Sequence, residues 1–263
     1  AIASIMPHYR RYIEPFLGGG ALLYLAAVPG SVAGDLYEPL IRLWRLIQTE
    51  PEKVIKDYAR KWMVLKEELD SVDLDKVKQG DGIPKYYYIV REQFNQTKDP
   101  LDLSFITRTC VNGIVRFNDK GEFNNSFHLS RRGMEPHRFK RIVELWHLVI
   151  QGVVFVCQDY MKTLEIAGKD DFVYLDPPYA GNRQRYIEDL DLERFFTALE
   201  DLNNRGVKWA LSFDGWRGSK DLIHAVPGSL FKRQLLLKSG NSAVSKVLNG
   251  SIEHVEESLY LNY

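Results

Sequence analysis

Asp176-Pro177-Pro178-Tyr179 follows directly on the apolar run Phe172-Val173-Tyr174-Leu175. From average residue usage, this tetrapeptide arises by chance in on the order of one in a thousand chains of this length. Two prolines with fixed φ angles stiffen the turn. It then offers a carboxylate and a peptide carbonyl as hydrogen-bond acceptors, and a tyrosine ring as a flat stacking surface. A rigid turn capped by tyrosine is the plainer reading, but the carboxyl end of a strand is where open α/β sheets hold their ligands.

A second group lies near the amino terminus, in Glu14-Pro15-Phe16-Leu17-Gly18-Gly19-Gly20. Three glycines let the backbone approach a ligand as side chains would not. Asp35, at the end of the next apolar run, suits a ribose, since an acidic residue one strand on accepts ribose hydroxyls in dinucleotide folds. A nicotinamide dinucleotide is the rival ligand. It is disfavoured because no Gly-x-Gly-x-x-Gly follows the first strand. By itself the glycine triplet serves equally well as a tight turn.

The elements that must position these residues follow from periodicity. A short strand runs into the glycines, Ala21 to Ala27 is helix-like, and Ser31–Asp35 is a second strand. Leu40, Ile41, Leu43, Trp44 and Ile47 recur with helical spacing. Val54, Ile55, Tyr58, Trp62, Leu65 and Leu69 mark one face of a longer helix opened by Pro51. Helices are expected over Lys85–Asn95, from Asp99-Pro100 to about Cys110, and over Arg138–Val149. Between the last two, alternation around Asp119-Lys120-Gly121 predicts a hairpin from Asn112 to Asn124. Strands at Val153–Val156, Phe172–Leu175 and Trp209–Phe213, a helix over Leu192–Leu202, and late strands at Phe231–Leu237 and Ser258–Asn262 resume the α/β pattern. The chain therefore reads as an α/β core, 1–47 with 151–263, interrupted by a mainly helical insertion, 48–150.

Composition bounds the alternatives. The chain has 263 residues, 45% of them hydrophobic and 27% charged, which suffices for a sizeable core and excludes a disordered or fibrous protein. No apolar run approaches a bilayer crossing, no basic-then-apolar leader opens the chain, and two cysteines make no disulfide framework. A cytoplasmic, reduced, soluble protein without membrane partners is expected. Lysine plus arginine equal aspartate plus glutamate at 35 each. Between Ser104 and Arg141, however, Arg108, Arg116, Lys120, Arg131, Arg132, Arg138, Lys140 and Arg141 face only Asp119, Glu122 and Glu135. That excess suits a phosphate backbone or an ordinary solvated face. No cysteine follows a proline as cytosine-C5 methylation needs, and the six histidines are scattered without zinc spacing. Cys157 is expected inside a strand, packed and inert, and His147 in the core.

Taken in order, these pieces resemble the DNA adenine methyltransferases, the Dam-like enzymes of restriction–modification systems and phages. The resemblance runs over nearly the whole chain: Glu14–Gly20, Asp35, Asn112-Gly113 through Arg116, Asn118 and Gly121-Glu122-Phe123-Asn124, then Asp159, Asp176–Tyr179 and Leu211–Gly215. It implies a Rossmann-like methyltransferase sheet, mostly parallel with an antiparallel C-terminal strand, carrying an inserted DNA-recognition domain. The implied reaction moves a methyl group from S-adenosylmethionine, without a metal, to the N6 amine of a flipped adenine in double-stranded DNA. Asp176, Pro177, Pro178 and Tyr179 would form the catalytic turn. Glu14, Pro15, Phe16, Gly18, Gly20, Asp35 and Asp159 would bind the donor, Asp159 through its adenine amine. Asn112, Ile114, Arg116, Asn118, Asn124, Arg131 and Arg132 would meet the DNA, with Lys140 and Arg141 suited to phosphates. Arg116 would read a guanine edge, and Arg185-Tyr186 would close beside the base.

Asn112 and Asn118 would otherwise merely serve turns. His128-Leu129-Ser130-Arg131 stands where enzymes reading GATC tend to have Gly-Arg, which leaves the target sequence open. Nothing from Ala1 to Tyr9 matches the basic segment that usually precedes the glycines, and a protein lacking that segment is expected to bind its donor weakly. A partner restriction endonuclease is compatible with the resemblance. The alternatives are N4-cytosine methylation by the same acceptors and a catalytically silent DNA-binding subunit.

Overall fold

The structure, a computed structural model, describes residues 2–71, 84–129, 132–177, 190–217, 220–221, 226–241 and 254–263. Its elements in chain order begin β1 (Arg11–Glu14), α1 (Leu23–Ala26), β2 (Val32–Asp35), α2 (Glu38–Thr49) and α3 (Pro51–Asp70). Next come α4 (Lys85–Thr97), α5 (Pro100–Thr109), α6 (Pro136–Val149), β3 (Val154–Cys157), α7 (Tyr160–Glu165) and β4 (Asp171–Leu175). The chain then runs through α8 (Leu192–Asn204), β5 (Lys208–Arg217), β6 (Lys220–Asp221), β7 (Arg233–Asn241) and β8 (His254–Leu261).

One sheet runs β3-β2-β1-β4-β5-β8-β7, with β6 beside β5. The first five strands in that order are mutually parallel. β8 lies antiparallel to both β5 and β7, giving the parallel sheet a mixed C-terminal edge. β1 and β4 are buried on both faces, as expected of parallel strands in the middle of a covered sheet. Arg11 grips its cross-strand partner Asp171 at 2.6 Å and locks the register of this central pair. α8 lays Phe195, Ala198, Leu199 and Leu202 against the sheet. Trp209 is fully buried, and its indole N–H donates to Asn203 at 2.9 Å.

Contacts divide the chain into two compact units. Tyr37–Gln151 makes one, and the described residues before Tyr37 and from Gly152 onward make the other. The first division falls earlier than the periodicity suggested, because α2 packs on α5 and α6 rather than on the sheet, with Trp44 edge-on to Trp146 at 4.7 Å. An amphipathic stripe looks the same whichever partner covers it.

Within this unit the six apolar residues that marked one face of α3 are all buried. Tyr58 stacks on Phe139 at 3.9 Å. Lys61, also buried on that face, is held by Asp57 at 2.5 Å and Asp102 at 2.6 Å. Asp99 caps α5 by accepting from Leu101 N–H at 2.7 Å.

The expected hairpin is reduced to a loop with one isolated bridge, Phe117 to Phe123. Two backbone bonds flank the bridge, Asn118 N–H to the Glu122 carbonyl and Asn124 N–H to the Arg116 carbonyl, each at 2.9 Å, and side-chain amides support the rest. Asn118 Oδ1 accepts the N–H groups of Lys120 and Glu122, and Asn125 Nδ2 donates to the carbonyls of Val111 and Ile114. Asn95 brackets both backbone groups of Phe123. Once side chains satisfy these groups, strand pairing is no longer required of them.

Candidate active site

The parallel strands β1, β2, β3 and β4 all end on one edge of the sheet, and their last or following residues carry the acidic side chains singled out above. Neighbours of β1 are β2 on one side and β4 on the other, so the connections diverge here. Such a switch point opens a crevice at the carboxyl ends.

β1 delivers Glu14. The strand alternation puts Tyr12 and Glu14 on the same face, and the Tyr12 hydroxyl donates to Glu14 Oε2 at 3.0 Å. Glu14 is only 3% exposed. Burial pushes its carboxyl up to about 8; the Tyr12 hydrogen bond pulls down, the neighbouring charge of Asp176 pushes up, and the Leu23 N–H pulls down. The chain then turns through Pro15. Phe16 packs on Tyr160 at 5.1 Å and on Phe195 at 6.2 Å.

Gly18 has φ +47°, a conformation that favours glycine, and a Cβ there would meet nothing within 4 Å. Its N–H donates to Asp35 Oδ2 at 3.0 Å, which ties the glycine turn to the end of β2. Gly20, at φ +64°, closes the turn on the Leu17 carbonyl at 2.8 Å. Gly34 matters for a different reason. A Cβ there would come within 2.9 Å of Thr163 Oγ1 and 3.2 Å of Val156 Cγ2, so its absence lets β2 seat against β3 and α7.

Asp159 follows β3 and caps α7, its Oδ1 accepting from Met161 N–H at 2.9 Å. The same carboxylate takes a two-pronged contact from Arg194, Nη2 to Oδ1 at 2.7 Å and Nη1 to Oδ2 at 3.1 Å. Arg194 lies over the Tyr160 ring, 5.2 Å from its centroid, and its hydrogen bond to Asp159 raises its pKa further. No motif marks Arg194, which stands 35 residues from its partner. One local signal existed: a cation in the first turn of α8 opposes the helix dipole.

Asp176 is exposed just past β4, and Pro177 behind it is buried. Pro178, Tyr179, Arg185 and Tyr186 lie outside the described residues, as does Arg131.

The remaining candidates belong to the helical unit. Asn112 has the left-handed φ of +57°, and Asn112 and Ile114 are half-buried. Arg116 is exposed and donates from Nε to Asn124 Oδ1 at 2.9 Å. The side chain of Asn118 is occupied by its own turn, Nδ2 donating to Glu122 and Oδ1 accepting two N–H groups.

The basic stretch is less open than its composition suggested. Arg132 pairs with Asp70 at 2.8 Å, Lys140 with Glu144 at 3.6 Å, and Arg108 lies half-buried over Phe139, where burial lowers its pKa. Arg141 is exposed. Two further expectations are reversed. Cys157, last in edge strand β3, is exposed, whereas Cys110 is buried and pushed up to about 11. His147 is half-buried, between Leu145 and Leu148 that are themselves exposed.

Among the described residues no helix is long and apolar enough to cross a membrane, and no cluster of His, Cys, Asp and Glu could hold a metal. Comparison with known proteins matches residues 1–234 to the D12 class N6 adenine-specific DNA methyltransferases. The chain belongs to this family. Among the relatives of this D12-class methyltransferase is the type II methyltransferase M.MjaIII of Methanocaldococcus jannaschii, 29% identical over 225 residues, 77% of this chain and 73% of that one. The DNA adenine methylase of Haemophilus influenzae is 31% identical over 176 residues, 65% of this chain and 56% of the relative. The DNA N-6-adenine-methyltransferase of Escherichia phage P1 is 27% identical over 240 residues, 85% of this chain but 29% of the longer phage protein. The chain thus spans little more than half the length of the bacterial methylase. Family membership favours adenine over the cytosine-N4 alternative.

Proposed function

We propose that this D12-class protein methylates the N6 amine of an adenine everted from double-stranded DNA, taking the methyl group from S-adenosylmethionine. The observation that carries the reading is the convergence of Glu14, the Gly18–Asp35 contact, Asp159 and the exposed Asp176 on one edge of the sheet. The residues suit this donor. The open space around Gly18 and Gly19 leaves room for a ligand against the backbone, Asp35 at the end of β2 suits ribose hydroxyls, and Phe16 with Tyr160 forms an apolar wall. When bound, the donor supplies a methyl group on a positively charged sulfur.

The chain's own groups do the rest. Adenine's exocyclic amine is a poor nucleophile because its lone pair is delocalised into the ring. The Asp176 carboxylate and the Pro177 carbonyl accept its two N–H bonds, draw the nitrogen toward tetrahedral geometry and localise that lone pair. Tyr179 stacks on the everted base, an interaction worth ~1–3 kcal/mol, which helps offset the cost of unstacking. Glu14, holding its proton near neutral pH, places no second full negative charge beside Asp176. Because Asp176 is exposed, the proton leaving the methylated nitrogen can pass to water. The helical unit, with Arg116 oriented by Asn124, holds the DNA.

Asp176→Ala is expected to slow single-turnover methyl transfer about a hundredfold, the cost of one electrostatic stabiliser, while leaving donor binding nearly intact. Near-normal turnover would remove Asp176 from the mechanism.

A further inference from the structure

Asp159 has four lone-pair positions for hydrogen bonds. Met161 N–H and Arg194 Nη2 take both on Oδ1, and Arg194 Nη1 takes one on Oδ2. One position on Oδ2 is left over among the described residues. The pairing is not explained by helix stability, since an arginine in the first turn of α8 opposes the helix dipole. Nor does a half-exposed ion pair usually add much to folding. The guanidinium is nevertheless fixed on two sides, by the Asp159 carboxylate and by the Tyr160 ring beneath it, and Asp191 Oδ1 accepts from its backbone N–H.

We infer that Arg194 is a positioning residue for donor selection: it fixes the Asp159 carboxylate with a single acceptor position presented, and so selects a purine bearing a 6-amino donor over one bearing a 6-oxo acceptor. The inference rests on the assignment of Asp159 to the donor's adenine made above. A 6-amino group meets the remaining lone pair with an N–H. A 6-oxo group brings its own lone pairs against a carboxylate oxygen and is repelled. Without Arg194, the carboxylate keeps, among the described residues, its cap contact to Met161, can rotate, and can accept from other edges of the base.

The test is calorimetric binding of S-adenosylhomocysteine and of S-inosylhomocysteine, its hypoxanthine counterpart, which needs no DNA and no turnover. Wild-type protein is expected to prefer the adenine compound at least ~tenfold, the scale of one hydrogen bond to a charged group. In Arg194→Ala the preference should fall to within about threefold of parity, with the melting temperature close to that of wild type. Arg194→Lys, which keeps the charge but not the fork, should fall between them. An unchanged preference in Arg194→Ala, or tighter binding of the adenine compound, would overturn the role given to Arg194. In that case, loss of preference in Asp159→Asn would leave the assignment of Asp159 standing. A wild-type protein without adenine preference would overturn both.

Discussion

At the carboxyl end of β1, burial and a neighbouring negative charge together push the Glu14 carboxyl up to about 8, against the pull of Tyr12 and Leu23. A carboxyl whose pKa rises from 4.5 in the unfolded chain favours the folded state fully below the lower value. That contribution is lost as pH rises toward the folded value, and it is flat above it. Glu14→Gln carries no charge at any pH. Its stability relative to wild type is therefore expected to rise between about pH 5 and about pH 8.5, read from urea midpoints at the two values. Parallel pH profiles for the two proteins would show that Glu14 ionises normally. Asp176 and Asp35 stood out because strand ends and turn residues announce themselves locally. Arg194 did not, because a side chain's partner across 35 residues is set by packing rather than by any motif.

Among the elements, the two glycines at the β1–β2 edge make opposite expectations. Gly18 is needed for its backbone conformation and has open space around it, so Gly18→Ala should cost about 1 kcal/mol of stability through strain alone. Gly34 sits in extended backbone with no room for a methyl group, so Gly34→Ala should cost about 1–3 kcal/mol by forcing Thr163 or Val156 aside. Thermal unfolding of the two variants checks the order; a larger loss at Gly18 would reverse the assignment. Periodicity located α3 well because its stripe is long and one-sided. It placed the turn at Asp119–Gly121, where one bridge and two backbone bonds close a short hairpin, but not the hairpin's extent, since Asn125 satisfies the Val111 and Ile114 carbonyls that a longer ladder would have paired. It also assigned α2 to the sheet, since the apolar pattern alone does not distinguish a sheet from helices α5 and α6 as the covering partner.

For the whole molecule, charge balance conceals a division of labour. Lysine plus arginine match aspartate plus glutamate overall, yet exposed basic residues such as Arg116 and Arg141 stand in the helical unit. Several neighbours that looked available are already paired, as Arg132 is with Asp70. Arg116, oriented by Asn124, and Arg141 should behave differently. Arg116→Ala is expected to relax one position of the target sequence at a cost of about 1–3 kcal/mol, and Arg141→Ala to weaken all sites evenly and lower the salt slope by about one. Binding titrations over a range of salt on matched and single-mismatch duplexes separate the two, and retained base preference in Arg116→Ala would assign that residue to the phosphates.

Mapping modified bases on a plasmid shows whether methyl transfer reaches adenine amines at the strand ends that hold Asp176. Wild-type protein incubated with methyl-labelled S-adenosylmethionine and plasmid DNA is expected to place label on N6 of adenines within one recurring sequence, as read by single-molecule sequencing, with Asp176→Ala modifying those sites about a hundredfold more slowly. Label on cytosine, or equal modification by the Asp176→Ala protein, would contradict the account.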